Sequence, residues 1–177
     1  MKALQLLPIG QVNDGLLQDL APGLADVFQV PCEIMRLKFD PESAFHGERQ
    51  QYHSSEILQR MQSYLNGNSW RMLGVAGVDL YIPILTFVFG EAQMGGPCAV
   101  VSAYRLTQEF YGLPGDRNIF GERLLKEAVH EIGHTLNLTH CYDYQCVMAP
   151  SHAVEWIDLK SSELCASCRG RVFAPAE

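Results

Sequence analysis

Apolar positions along the chain follow a strand rhythm, then a helical one, and the pair repeats before the pattern changes. Lys2–Pro8 is mostly apolar and reads as a short buried strand. Over Asp14–Phe28, Leu16, Leu17, Leu20, Leu24 and Val27 recur at helical spacing, with Pro22-Gly23 placed to kink or split that helix. Val30–Phe39 reads as a second strand, and Asp40–His53 as a polar loop or irregular excursion. Ser54 is placed to cap a helix running to Leu65, which Asn66-Gly67-Asn68 stops. Three runs rich in Val, Ile, Phe and Tyr follow, Met72–Leu80, Leu85–Glu91 and Cys98–Leu106, separated by Pro and Gly. Their connections are too short for crossover helices, so at least one strand must run antiparallel. After a turn at Gly112–Asp116, a helix is expected from about Asn118 to Leu136. Phe120, Leu124, Ala128 and Ile132 form its apolar stripe, widened by Leu125, Val129 and Leu136. The rest reads as loop up to a last helix, Asp158–Arg169.

The helix expected from about Asn118 to Leu136 carries the chemistry. In His130-Glu131-Ile132-Gly133-His134 the two histidines are four apart, so they share a helix face about one turn from each other. Two imidazoles at that spacing can reach one tetrahedral metal, with Glu131 beside it as a base. Were the helix to continue, His140 would sit roughly 9 Å further along and about 240° round from His134. It can join them only if the chain reverses first. Asn137 is the expected hinge, because after Gly it best tolerates the left-handed conformation that ends helices.

This segment resembles the zinc signature of the metzincin metalloproteases, His-Glu-x-x-His-x-x-Gly-x-x-His followed by a methionine turn. Cys141, Cys146, Met148 and Cys165-Ala166-Ser167-Cys168 narrow the resemblance to the archaemetzincins, over most of the chain. Asn137 stands where that family has Gly. The resemblance implies an α/β (α+β) fold: a mixed five-stranded sheet with an antiparallel edge strand, an active-site helix, and a small C-terminal zinc-stabilised subdomain. A single catalytic domain, 1–177, would then divide into an upper part, about 1–137, and a lower part, about 138–177. It implies further that Leu85–Gln93 is the edge strand along the cleft, where Thr86, Val88 and Gly90 would meet an extended substrate. Met148 would form an apolar floor under the three histidines.

A second constellation follows. Cys141-x4-Cys146 and Cys165-x2-Cys168 have the spacing of a structural Cys₄ zinc site, with two disulfides as the alternative. Consecutive side chains diverge, so His140 and Cys141 can serve different ions, placing the two metals close together. Lys160, Arg169 and Arg171 either offset the negative charge of that site or form a solvated helix face. Cys32 and Cys98 read as buried thiols, with Cys98 as an inhibitory ligand the rival idea, and His46 and His53 as surface residues. Tyr142, Tyr144 and His152 are near enough in sequence to aid an oxyanion, though surface or packing roles suit them better.

Composition bounds the rest. The 177 residues suit one domain with a sizeable core, and 47% hydrophobic with 19% charged residues is a globular balance. A net charge of -7 argues against a nucleic-acid partner. No apolar run approaches a membrane span, and Pro8 breaks the N-terminal segment too early for a signal peptide. Reduced cysteines in the cytoplasm, and no propeptide, are therefore expected.

The expected function is hydrolysis of peptide bonds in a peptide or protein substrate. Zinc on His130, His134 and His140 would hold the attacking water, and Glu131 would take its proton. Two zinc ions are expected, one catalytic and one structural. The rivals are an aminopeptidase for short peptides and a non-catalytic, zinc-stabilised binding protein. The aminopeptidase needs a carboxylate for the free amine, for which Glu91 and Glu155 are candidates.

Overall fold

The computed structural model describes residues 1–173. Ala3–Ile9 (β1) is buried along its whole length, as an inner parallel strand covered on both faces must be. Asp14–Phe28 (α1) starts where the Asn13 side chain accepts the Gly15 N–H, and runs unbroken through Pro22. Cys32–Ile34 (β2) follows, much shorter than the expected Val30–Phe39 strand. Beyond Ile34, Met35 N–H still bonds Leu6 O at 2.9 Å, and after a break Phe39 returns to bridge Ile9.

The excursion at 40–53 is more ordered than its polarity suggests. Phe45–His46 (β3) and Gln51–His53 (β4) pair antiparallel. Ser54–Met61 (α2) comes next, continued by a 3₁₀ turn to Tyr64. Ser54 is its first residue and not its cap: the hydroxyl donates to the Glu91 carboxylate, with Tyr81 O also in reach at 3.1 Å. Ser69–Ala76 (β5) enters the main sheet, and Leu80–Tyr81 (β6) joins β4 to complete a small second sheet. Gly90–Ala92 (β7), Cys98–Ser102 (β8), Arg117–Thr135 (α3), Val154–Leu159 (α4) and Ala166–Phe173 (α5) complete the elements.

The main sheet has five strands in the order β2-β1-β5-β8-β7, parallel except for β7, which runs antiparallel to β8 at the edge. Its faces sort the core by alternation. Leu4, Leu6, Leu73, Val75, Ala99 and Val101 pack with α1, α3 and the C-terminal segment. Leu7, Ile9, Met72, Ala76, Cys98 and Val100 pack with α2 on the other face.

The edge strand corrects the expectation for Leu85–Gln93, because only Gly90–Ala92 is ladder-paired. Thr86 is outside it: the carbonyls of Leu85 and Thr86 are taken by Arg49, and Thr86 O also by Gln51. Val88 bonds across to Leu80 of the second sheet. The last expected helix also divides, into α4 and α5. Lys160 ends α4 because its side chain turns into the core, where it is 2% exposed.

Candidate metal centre and cleft

Asp116 caps α3 through its carboxylate, which accepts the N–H groups of Asn118 and Ile119. Leu124, Ala128, Val129 and Ile132 bury one face of the helix. His130, Glu131 and His134 face a cleft of about 700 Å³ whose opposite wall includes Phe87, Phe89 and β7. A second hollow, about 750 Å³ between the N-terminal ends of α1 and α3, has no histidine or cysteine in its lining.

The helix ends as His140 requires. Asn137 adopts φ 63°, the left-handed region. Leu138 N–H bonds Gly133 O at 3.1 Å and Asn137 N–H bonds His134 O at 3.0 Å, the paired bonds of a Schellman cap. Two outside contacts hold this turn: Gly95 N–H donates to His134 O at 3.0 Å, and Arg171 of α5 donates to Asn137 O at 3.0 Å. A β-carbon on Gly95 would meet the Asn137 side chain, so the β7–β8 connection rests directly on the hinge.

His130, His134 and His140 converge, with one ring nitrogen from each lying within 4.8 Å of the others. His130 Nδ1 is 2.9 Å from Val147 O and His134 Nδ1 is 2.7 Å from Leu138 O. Each Nδ1 therefore donates its proton to a carbonyl, leaving both Nε2 atoms as bare acceptors. Yet these Nε2 atoms are only 3.0 Å apart. Two lone pairs facing at that distance repel unless a cation lies between them, so the donor set fits a divalent metal. Burial, and then the charge of Lys160 and the other histidines, lowers the proton affinity of His130 well below the ordinary value. His134 and His140 are lowered too, chiefly by burial. Neutral rings are what coordination needs.

Glu131 lines the cleft and is buried. Its proton affinity is raised well above the carboxylate norm by burial and then by Glu127 and Glu91, against the pull of Lys160. A dication at the histidines opposes that rise. Gly90 lies against it: a β-carbon there would stand 2.6 Å from Glu131 Cγ and 2.7 Å from its Oε1. Met148 is fully buried, and a β-carbon on Gly133 would overlap its sulfur. A side chain at position 133, between the two helical histidines, would require the Met148 sulfur and methyl to move.

The sequence did not signal Glu127, nor that Lys160 pairs with it. Glu127 is one turn before Glu131 and lines the cleft, and Lys160 Nζ lies 2.8 Å from its Oε1 while donating to Ala149 O at 3.1 Å. Lys160 thus ties the methionine turn to α3 and does not serve the cysteines. Arg169 faces Glu163 and Arg171 reaches the hinge.

Cys141, Cys146, Cys165 and Cys168 form the second cluster, their sulfurs within 4.8 Å of one another. None of the six cysteines is joined in a disulfide, and these four gather in one cluster. The Cys141–Cys165 sulfurs are 3.9 Å apart, close to the roughly 3.8 Å edge of a tetrahedron with ~2.3 Å zinc–sulfur bonds. The Cys165 thiol is lowered to about 7, first by the backbone N–H of Cys168. Cys98 packs on the α2 face, away from the histidines, and its thiol is raised to about 11 by burial. Burial raises Cys32 to about 12.

Other candidates separate clearly. His46 and His53 flank the Tyr81 ring, outside the histidine centre. Tyr142 and Tyr144 are exposed and absent from the cleft lining, whereas His152 is part of it. Glu91 lines the cleft, but its carboxylate is occupied by Ser54 and by Ser55 at 2.8 Å. Glu155 is exposed on α4, outside that lining.

The family model for peptidase family M54 matches residues 24–173. The archaemetzincin of Methanocaldococcus jannaschii is 41% identical over 161 residues, spanning 91% of this chain and 87% of that protein. That of Haloarcula marismortui is 33% identical over 171 residues, spanning 95% and 98%. Among solved structures, a zinc-dependent peptidase from Methanocorpusculum labreanum matches with a TM-score of 0.86 at 28% identity, covering 96% of this chain and all 100% of that one. An archaemetzincin from Archaeoglobus fulgidus, complexed with malonate, matches at 0.81 and 34% identity, covering 97% and 99%.

Proposed function

Taking as premise that the chain belongs to peptidase family M54, we propose that it cuts peptide bonds at the three-histidine centre with Glu131 as proton carrier. It is a zinc metallopeptidase. The observation that carries the residue assignment is the convergence of three imidazoles, two of them locked by backbone carbonyls, beside a buried carboxyl group. His130, His134 and His140 would hold the catalytic zinc. Cys141, Cys146, Cys165 and Cys168 would hold a second, structural ion, for two per chain. When bound at the histidines, zinc supplies Lewis acidity, lowering the pKa of a water to about 7 and polarising the carbonyl.

The protein's own groups do the rest. Glu131 takes a proton from the attacking water on its carboxylate and passes it to the departing amine nitrogen. A proton affinity raised by burial suits a group that must hold the proton between those two events. Phe89 O and Gln93 N bond to β8, so by antiparallel alternation the main-chain groups of Gly90 and Ala92 point out of the sheet and into the cleft. An extended peptide would pair there; this role passes to Gly90 and Ala92 from Thr86 and Val88, whose backbone is already engaged. Met148 supports the centre from below.

No helix among the described residues is long and apolar enough to cross a membrane. A cytoplasmic setting and no nucleic-acid partner belong to the same reading, supported by the metal-ligand spacing of the cysteines and the net charge of -7. The division near residue 137 into upper and lower subdomains places the histidine centre at their seam.

Zinc content and cleavage of a peptide library test the reading together. Glu131→Gln should keep two zinc ions and lose cleavage, whereas His134→Ala should lose one ion and cleavage. A Glu131→Gln variant that cleaves as fast as the parent would show that another group carries the proton.

A further inference from the structure

The cleft wall opposite α3 does not end at the cleft. Phe89 and Phe87 line it, edge to face with centroids 5.0 Å apart. The Arg105 guanidinium lies 4.2 Å from the Phe87 centroid and 5.0 Å from that of Phe110. Phe110 meets Tyr111 at 4.9 Å and Tyr104 at 5.7 Å, both edge-on. The rings therefore form a continuous lane from the cleft to the outer surface. Phe110, Tyr111 and Tyr104 are 42–47% exposed, and Leu113 beyond them is 53% exposed.

Single exposed apolar residues are ordinary, but a run of adjoining rings at the mouth of a cleft is not. The lane is also held in place. Arg105 makes two 2.7 Å bonds to Asp79, and Tyr111 Oη donates to Arg105 O at 2.9 Å. Asp79 neutralises the one cation in the lane, so charge gives it no selectivity. What it offers is rigid aromatic area, which costs little entropy to cover.

We propose that this lane is an exosite for the substrate chain itself, taking apolar or aromatic side chains of an extended segment that continues past the cleft. Continuity with the cleft selects this occupant, because a peptide leaving β7 along the Phe89–Phe87 wall arrives on Phe110. The steps from Phe87 through Arg105 to Phe110, 4.2 and 5.0 Å, against roughly 3.3 Å per extended residue, place the contact within about three residues of the cleft. The proposal rests on the peptidase reading and deepens it.

The test uses the full-length, zinc-loaded enzyme and fluorescein-labelled peptides sharing one cleaved core. The core is supplied alone, or with five-residue extensions of Leu and Phe, or of Gly and Ser, at either end. At one end the Leu/Phe extension should raise kcat/KM about tenfold over Gly/Ser, mainly through KM. Phe110→Ser and Tyr104→Ser, both at exposed positions, should abolish that gain and leave the bare core unaffected. Equal kcat/KM for the two extensions at both ends, or a gain that survives both substitutions, overturns the exosite. Anisotropy of the same peptides separates the two ideas. Affinity dependent on Phe110 without cleavage keeps the lane and removes the peptidase reading, while equal affinity for both extensions removes the lane.

Discussion

Replacing Asn137 by alanine should weaken the turn that brings His140 to its partners. The residue sits at φ 63°, where a β-carbon costs about 1–2 kcal/mol and asparagine is the side chain other than glycine that best tolerates it. Alanine also gives up the side-chain contact under Gly95. Together these predict a stability loss of about 1 kcal/mol for Asn137→Ala, which in a chain of this length lowers Tm by roughly 2–4 °C. If the zinc-free turn relaxes to relieve the strain, zinc binding must restore it, and affinity should fall about fivefold. Asn137→Gly is the control. It removes the strain but adds unfolded-state entropy of about 0.5–1 kcal/mol, so its Tm should stay within about 2 °C of the parent. Calorimetry of the zinc-loaded protein, with zinc titrated against a chromophoric chelator, reads both quantities. An alanine variant with unchanged Tm and unchanged zinc affinity would refute the idea that a left-handed residue is required here.

Lys160→Met should cost about 3–5 kcal/mol in urea unfolding at neutral pH, because it strands Glu127 as a buried anion, and Glu127→Gln on top should recover much of it. Burial already raises the Glu127 pKa in the folded state, so the folded protein binds that proton more tightly than the unfolded chain does. The Lys160→Met deficit should therefore shrink as pH falls through the folded pKa towards the unfolded value; a pH-independent deficit counts against this account. Gly90→Ala should cut kcat on the order of a hundredfold with zinc content unchanged, since its β-carbon would displace the Glu131 carboxylate. The same change in a Glu131→Asp background should cost much less, and equal losses in both backgrounds would argue for a mere sheet defect. Cys165→Ser should lower zinc from two ions to one and reduce Tm, whereas a variant retaining both ions excludes the four-sulfur site.

What could be read from the residues was whatever depends on short spacing. The histidines four apart, the hinge before His140 and the two cysteine pairs each lie within a turn or a loop, so local geometry constrains them. Helix α1 was equally legible, because its apolar stripe recurs at helical spacing within one short stretch of chain. The pairing of Glu127 with Lys160 was not, because the partners come from separate segments and neither shows a periodicity that marks it. The second sheet was missed because its strands are two or three residues long, too short to alternate. Leu85–Val88 has strand composition, yet side chains of Arg49 and Gln51 claim its carbonyls before a neighbouring strand could. Tertiary contacts decided that stretch over local propensity.

The seat of the Met148 sulfur on Gly133 makes those two positions a single unit of inheritance. A lineage that drifts to alanine at 133 must swing the sulfur of 148 aside, shorten that side chain in step, or lift the loop that carries it off the helix. Variation in the motif is thereby steered to Ile132, whose freedom is set by the core behind the helix and not by the metal in front of it.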